Sequence, residues 1–419
     1  MTTAISCPQK DLLIAPKKDG KALFTTWMGS FFDGFDSSIF VLTMFPSLSG
    51  LLNTHDHARI AATASFILCS FLLGWAAGSA IFGRLADKVG RVPTLVITIL
   101  LYAGCTGLCA LSRNWQELML YRFLVGCGIG GEISVGGVLL AECWQGRPRY
   151  FATGLMTTAF SVGYFALAAI NLSCPELGWR GLYLLGVIPS LLTVFVRLKL
   201  QESPEYAAAK KTESMISKSA LLLQLFERQH RRNLLCVLLI AASTIVGYWA
   251  VLAWLPSWIS ALTGTAALGQ RSTAALVLNT GSIAGGLGLS LLFKKLDSKL
   301  AFAISFAGAF ISCFCLFALI KSYGTALLLC AFLAGAFTYA PFTALFIYVP
   351  TLFPVNQRAT AFGISIQSAR VLAAAATLGA GQIISACGGS YAIAGASFSF
   401  VYLVGLATSL FLQRSSKTL

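Results

Sequence analysis

Charge is what this sequence has least of. Asp, Glu, Lys and Arg together supply 11% of its 419 residues, where a soluble domain carries about a quarter. That shortage excludes an ordinary soluble enzyme. No polar domain is present of the kind that would mark secreted cargo or an anchored enzyme. Histidine occurs three times, at His55, His57 and His230, each outside the long apolar runs. There is no H-E-x-x-H pair and no G-x-x-x-x-G-K-[ST] phosphate loop, which argues against metal-dependent hydrolysis and against ATP as a driving force. The twelve cysteines lie mostly inside apolar segments, among them Cys69, Cys105, Cys109, Cys127, Cys236, Cys313, Cys315 and Cys330. They lack paired metal spacing and read as small packing residues. No cofactor, no metal and no enzymatic activity are expected. The stretch MTTAISCPQKDLLIAPKKDGK is polar and basic and lacks the short apolar core of a cleavable leader.

What the sequence does have is apolar length. It is 57% hydrophobic, with a mean hydropathy of +0.78. A helix needs about 20 apolar residues to cross a bilayer core. Runs of that size recur near 23–50, 61–82, 93–111, 116–141, 150–172 and 180–200, then near 233–261, 272–293, 300–320, 323–349, 359–384 and 389–412. An all-α membrane protein of about twelve transmembrane helices is expected. The divisions are a tail at 1–22, a first half at 23–200, a polar linker at 201–232, a second half at 233–412 and a tail at 413–419.

The net charge of +15 raises the question of nucleic acid, but the bases fall in alternate loops rather than on one contiguous face. They cluster at Lys10, Lys17, Lys18 and Lys21, at Arg84, Lys88 and Arg91, at Arg147 and Arg149, through the linker, and at Lys294, Lys295, Lys299, Arg358, Arg414 and Lys417. The opposite loops hold only Arg59, Arg113, Arg180, Arg271 and Lys321. The positive-inside rule then puts both termini and the linker in the cytoplasm, and a monomer in the plasma (inner) membrane is expected. The two halves carry a faint internal repeat. "ECWQGRPRYFATG" from Glu142 and "TLFPVNQRATAFG" from Thr351 align Arg149 with Arg358 and Gly154 with Gly363, half a chain apart, as a parallel duplication would.

"GRLADKVGR", Gly83 to Arg91, falls where the second cytoplasmic loop is expected. It resembles the G-x-L-x-D-x-x-G-R loop signature of the major facilitator superfamily. The corresponding "FKKLDSKLA" keeps Leu296 and Asp297 and lacks both glycines. A tight loop would call on Gly83 and Gly90, and Asp87 could pair with Arg91 and face a helix N-terminus. The resemblance implies a cytoplasmic gate of Gly83, Arg84, Asp87, Gly90 and Arg91, with Glu142, Arg149 and Arg358 as neighbours; a plain topogenic basic loop is the alternative. "YRFLVGCGIGGEISVGG" from Tyr121, with "FFDGFD", "GWRGLYLLGVIPSLLTVFVR" and "QESPEY", is similar to the sialic acid and monocarboxylate proton symporters. Aromatic-acid symporters and sugar porters are near neighbours. That likeness covers roughly residues 25 to 210.

Two carboxylates, Asp33 and Asp36, stand inside the first span. At 1.5 Å rise per residue they lie roughly 15 and 20 Å from its start. Arg122, counted from the opposite end of span four, reaches a similar depth, so Asp36 and Arg122 are natural partners. Charges at that depth face the protein interior and pair. One reading is a static ion pair; the other, which the resemblance also implies, is proton coupling through Asp36 and Arg122. Asp33 either shares that role or lines the cytoplasmic vestibule, and Glu132 either relays protons or pairs locally. In span eleven Arg370 reaches mid-membrane with no acid of the second half at its depth. It is expected to be either an unpaired receptor for a substrate carboxylate or an arginine satisfied by helix carbonyls or by Asp33 across the cleft. Gln367, Asn279 and Tyr164 are further substrate-binding candidates. Tyr248 and Trp249 fit either a pocket wall or packing at the bilayer interface.

The function expected is secondary active transport: a symporter carrying a small organic anion with protons by alternating access. A sugar or polyol porter, an exporter of a small metabolite or drug, and a transporter-like sensor are the alternatives.

Overall fold

The computed structural model describes residues 20–143, 148–198, 228–264, 267–292, 296–353 and 358–412. Within them, the side chains of 20–22, 25, 87, 91, 133–143, 148–152, 189–198, 228–230, 350 and 358–360 lie outside the description. The described residues are helical throughout, with no strand. The first set of helices is α1 (Gly20–Leu52), α2 (His57–Val89), α3 (Arg91–Ala110), α4 (Trp115–Cys143), α5 (Pro148–Ser173) and α6 (Gly178–Leu198). The second is α7 (Arg228–Ala250), α8 (Leu255–Thr263), α9 (Leu268–Leu292), α10 (Ser298–Phe314), α11 (Thr325–Leu352), α12 (Arg358–Ala386), α13 (Tyr391–Ser399) and α14 (Val401–Leu410). Two pairs act as single spans: α7 with α8 across the 3₁₀ turn Leu252–Trp254, and α13 with α14 across Phe400. Ten spans are long and apolar enough to cross a membrane. The 29-residue α4 and 21-residue α6 bring the total to twelve.

The helix ends follow the expected apolar runs to within a few residues, because run length is what sets them. Two features differ. The seventh span is broken: Pro256 sits in the first turn of α8, has no N–H to give, and crowds the carbonyl four residues back. The stretch from Gly83 to Val89 is not a loop. α2 continues to Val89, Gly83 is an ordinary helical residue with open space around it, and only Gly90 adopts a positive φ, 117°, at the joint with α3.

Close helix approach explains the glycine run of α4. A Cβ at Gly126 would lie 2.2 Å from the Phe71 carbonyl oxygen of α2, and one at Gly130 2.1 Å from that of Trp75. Gly128 and Gly131 turn instead toward Tyr102 and Thr98 of α3. The i, i+4 spacing therefore packs one face of α4 on α2 and leaves the adjacent face for α3. Between the two sets of helices, α2 packs on α12, α5 on α9 and α1 on α8. The candidate site lies along this seam.

Candidate functional site

Two buried arginines anchor the interior. The first joins the helices of one half. Arg122 on α4 forms a salt bridge of 3.3 Å with Asp36 on α1, and each side chain is 2% exposed or less. Both Nη groups also donate to the Asp36 carbonyl at 3.2 Å, and Nε donates to the Tyr183 hydroxyl of α6 at 3.3 Å. The guanidinium stands 4.8 Å from the Tyr183 ring centroid and 5.8 Å from that of Phe71. Thr106 of α3 donates to the other carboxylate oxygen of Asp36. An isolated charge in such a setting is costly; here each formal charge has an opposite charge and directional hydrogen bonds. Tyr183 and Thr106 are participants that the sequence does not single out. Tyr183 stands in the "GWRGLYLL" stretch, but nothing there shows that it faces Arg122.

The second arginine joins the halves. Arg370 of α12 donates to Gln367 Oε1 at 2.9 Å and lies 4.3 Å from the centroid of Trp75 on α2. Asp33 of α1 acts on it electrostatically. The acid within electrostatic reach of Arg370 comes from the first half. Although Asp33 and Asp36 are three residues apart, Asp36 serves Arg122 within its own half and Asp33 acts on Arg370 across the seam.

Around Trp75 the two halves meet through aromatic rings. Trp75 stands edge-on to Trp249 at 6.3 Å and parallel to Phe160 at 6.5 Å; Tyr248 contacts both Phe160 and Phe342. Tyr248 and Trp249 are buried, so they belong to the interior and not to a bilayer-interface belt. Tyr164, Tyr248, Trp249, Leu278 and Ser38 border a void of about 10 Å³, space for about one water. This void is too small for a solute, so binding there requires its walls to part.

Other candidates fall at different distances from this centre. Asn279 of α9 is buried and donates to the Ala275 carbonyl of its own helix, while its Oδ1 has no partner among the described residues. Glu132 is buried on α4, about 15 Å along the helix from Arg122, and so stands apart from the Asp36 pair. Of the residues expected at a cytoplasmic gate, Gly83 and Gly90 are placed as above and Arg84 is exposed. The side chains of Asp87, Arg91, Glu142, Arg149 and Arg358 lie outside the described residues.

The seam is held on both sides of the centre. Toward the end carrying Asn53, His57 stacks on Phe45 at 4.6 Å and meets Tyr391 edge-on at 6.0 Å, and Asn171 Nδ2 donates to Ser272 at 2.8 Å. Toward the end carrying Gly90, the Thr157 and Thr343 hydroxyls bond at 2.9 Å, and the Tyr339 hydroxyl donates to the Thr157 carbonyl at 2.6 Å. Short polar links of this kind can be exchanged for water with little loss, which suits a seam that opens.

Twelve apolar spans, two helix sets meeting along a seam, and buried arginines beside it, one of them ion-paired, define a membrane transport protein rather than an enzyme. The major facilitator superfamily model matches residues 26–378, and the chain belongs to that family. It is 29% identical to a protein of Haemophilus influenzae named for metabolite transport, over 94% of this chain and 95% of the other. It is 28% identical to the sialic acid transporter NanX of Escherichia coli, over 70% and 69%. Among solved structures, a D-xylose-proton symporter superposes with a TM-score of 0.74 over 93% of this chain and 96% of that one, at 15% identity. That last likeness is one of fold.

Proposed function

We propose that this chain is a proton-coupled symporter that carries a small organic anion by alternating access. The observation that carries the reading is Arg370: a buried guanidinium in the seam between halves, braced by Gln367 and overlain by Trp75. A substrate carboxylate can accept from the guanidinium's fork of donors, and an aromatic wall can hold the rest of the solute. Asp36 and Arg122 form the proton-coupling pair, with Asp33 and Glu132 as the further acids of the path. The proton is the only coupling species required, with no bound cofactor. A relative named for sialic acid, an organic acid, supports the substrate class. Both termini and residues 201–232 face the cytoplasm of a plasma (inner) membrane, the gate around Gly90 lies on that side, and the functional unit is a monomer.

The test is binding to detergent-purified protein, with the acid chosen by a thermal-shift screen of sialic acid, lactate and benzoate. Arg370→Lys keeps the charge but loses the two-pronged geometry. It should weaken binding roughly ten- to a hundred-fold, the equivalent of about 1.5–3 kcal/mol, and Arg370→Ala should weaken it further. Equal affinity in wild type and Arg370→Ala overturns the assignment. A sugar or polyol porter is the second reading, favoured by the amides of Gln367 and Asn279 near the aromatic wall. It takes precedence if a neutral sugar, and no acid, stabilises the protein.

A further inference from the structure

Five bases scatter over the loops at the end of the bundle that carries Asn53. Arg59, Arg113, Arg180 and Lys321 are exposed, as hydrated loop charges should be. Arg271 is not: it is 4% exposed. Its Nη1 donates to the Ser260 hydroxyl of α8 at 3.0 Å, and its Nε has no partner. Among the described residues no carboxylate pairs with it. Arg122 has Asp36, and Arg370 has Gln367 and the Trp75 ring; Arg271 stands out as a buried guanidinium with only a neutral hydroxyl for company. It also occupies the first turn of α9, where the helix dipole is itself positive and a cation is disfavoured. Burial of such a charge is unfavourable unless an anion completes it.

Position gives that anion a use. Arg271, Ala274, Ala275 and Leu278 follow the i, i+3, i+4, i+7 stripe of one helix face and are all buried. Leu278 borders the central void, so Arg271 stands on the same face about 10 Å nearer the end of the bundle. The next residue, Ser272, bonds Asn171 across the seam. When the seam parts at this end, Arg271 is placed at the mouth of the cleft, in line with the centre.

We infer that Arg271, with Ser260, is an entry site for the substrate carboxylate, occupied before the anion passes inward to Arg370. This rests on the organic-anion reading and adds a second station to it. A cation at the mouth raises the local concentration of anions and speeds their capture. It acts on the rate of loading and not on the affinity of the central site.

Uptake into proteoliposomes, measured with sialic acid, lactate and benzoate, tests the inference. Arg271→Gln should lower kcat/KM about tenfold, chiefly through KM, with kcat kept and the dependence on ionic strength flattened. Arg271→Lys should retain part of the rate. Arg271→Met should lose uptake as Arg271→Gln does, yet unfold at a temperature no lower than wild type, because it removes a buried charge that lacks a counter-charge. A structural role predicts the reverse: Arg271→Met unfolds earlier and kcat falls with it, which would overturn the inference. If Arg370 variants lose binding while Arg271 variants match wild type, the entry site alone is wrong. If none of the three acids is taken up, the organic-anion reading falls and the entry site with it.

Discussion

Tyr183 illustrates how a neutral residue can hold a charge in place. Its hydroxyl accepts from Arg122 Nε and its ring lies under the guanidinium, so one side chain satisfies a donor and flanks the cation's face. Tyr183→Phe keeps the ring and removes the acceptor, leaving a buried N–H without a partner. It should cost about 1–3 kcal/mol, read as a lower unfolding temperature in detergent, while proton-driven uptake persists. An unchanged unfolding temperature would mean that Arg122 finds another acceptor. Depth counting was enough to pair Asp36 with Arg122, because both positions follow from helix rise alone. It could not reveal Tyr183 or Thr106, whose contribution depends on which way each helix is turned. The reach of Asp33 to Arg370 across the cleft was one of two readings that depth left open. Arg271 was hidden for a simpler reason: a base beside a loop in sequence looks like every other loop base until its burial is known.

At the scale of elements, the helices were legible because a bilayer demands length and hydrophobicity, and both are written in composition. What composition does not show is how closely two helices approach. α2 and α4 meet through glycines from both sides: a Cβ at Gly78 would lie 2.0 Å from the Cys127 carbonyl oxygen, a distance no side chain tolerates. Gly78→Leu should therefore separate the two helices that carry Trp75 and Arg122. The expected result is loss of monodisperse protein on size-exclusion chromatography, or a sharp fall in unfolding temperature if the fold survives. A well-behaved Gly78→Leu protein would show that the approach can relax. The break at Leu252–Trp254 was marked in sequence only by Pro256, and a proline inside a span signals a kink as readily as a full stop. Its consequence is local. The broken span places Leu252 and Ala253 beside Trp249 at the central void, where irregular backbone borders a cavity.

At the scale of the whole molecule, contacts among the described residues cross the seam on both sides of a small void with room for about one water. Transport then requires the two helix sets to part at one end and the other in turn, and coupling requires that a proton and the anion travel together. In the proposed symport, that requirement falls on Asp36: its carboxylate would release Arg122 to take a proton and recover Arg122 on giving it up. Asp36→Asn imitates the protonated acid and cannot release a proton. The decisive measurement compares two assays on Asp36→Asn proteoliposomes with the acid the wild type accumulates. One is uptake driven by an imposed pH gradient; the other is exchange of labelled for unlabelled acid with no gradient. The account predicts that gradient-driven accumulation is abolished while exchange continues. Accumulation against a concentration gradient by Asp36→Asn, driven by pH, would contradict it.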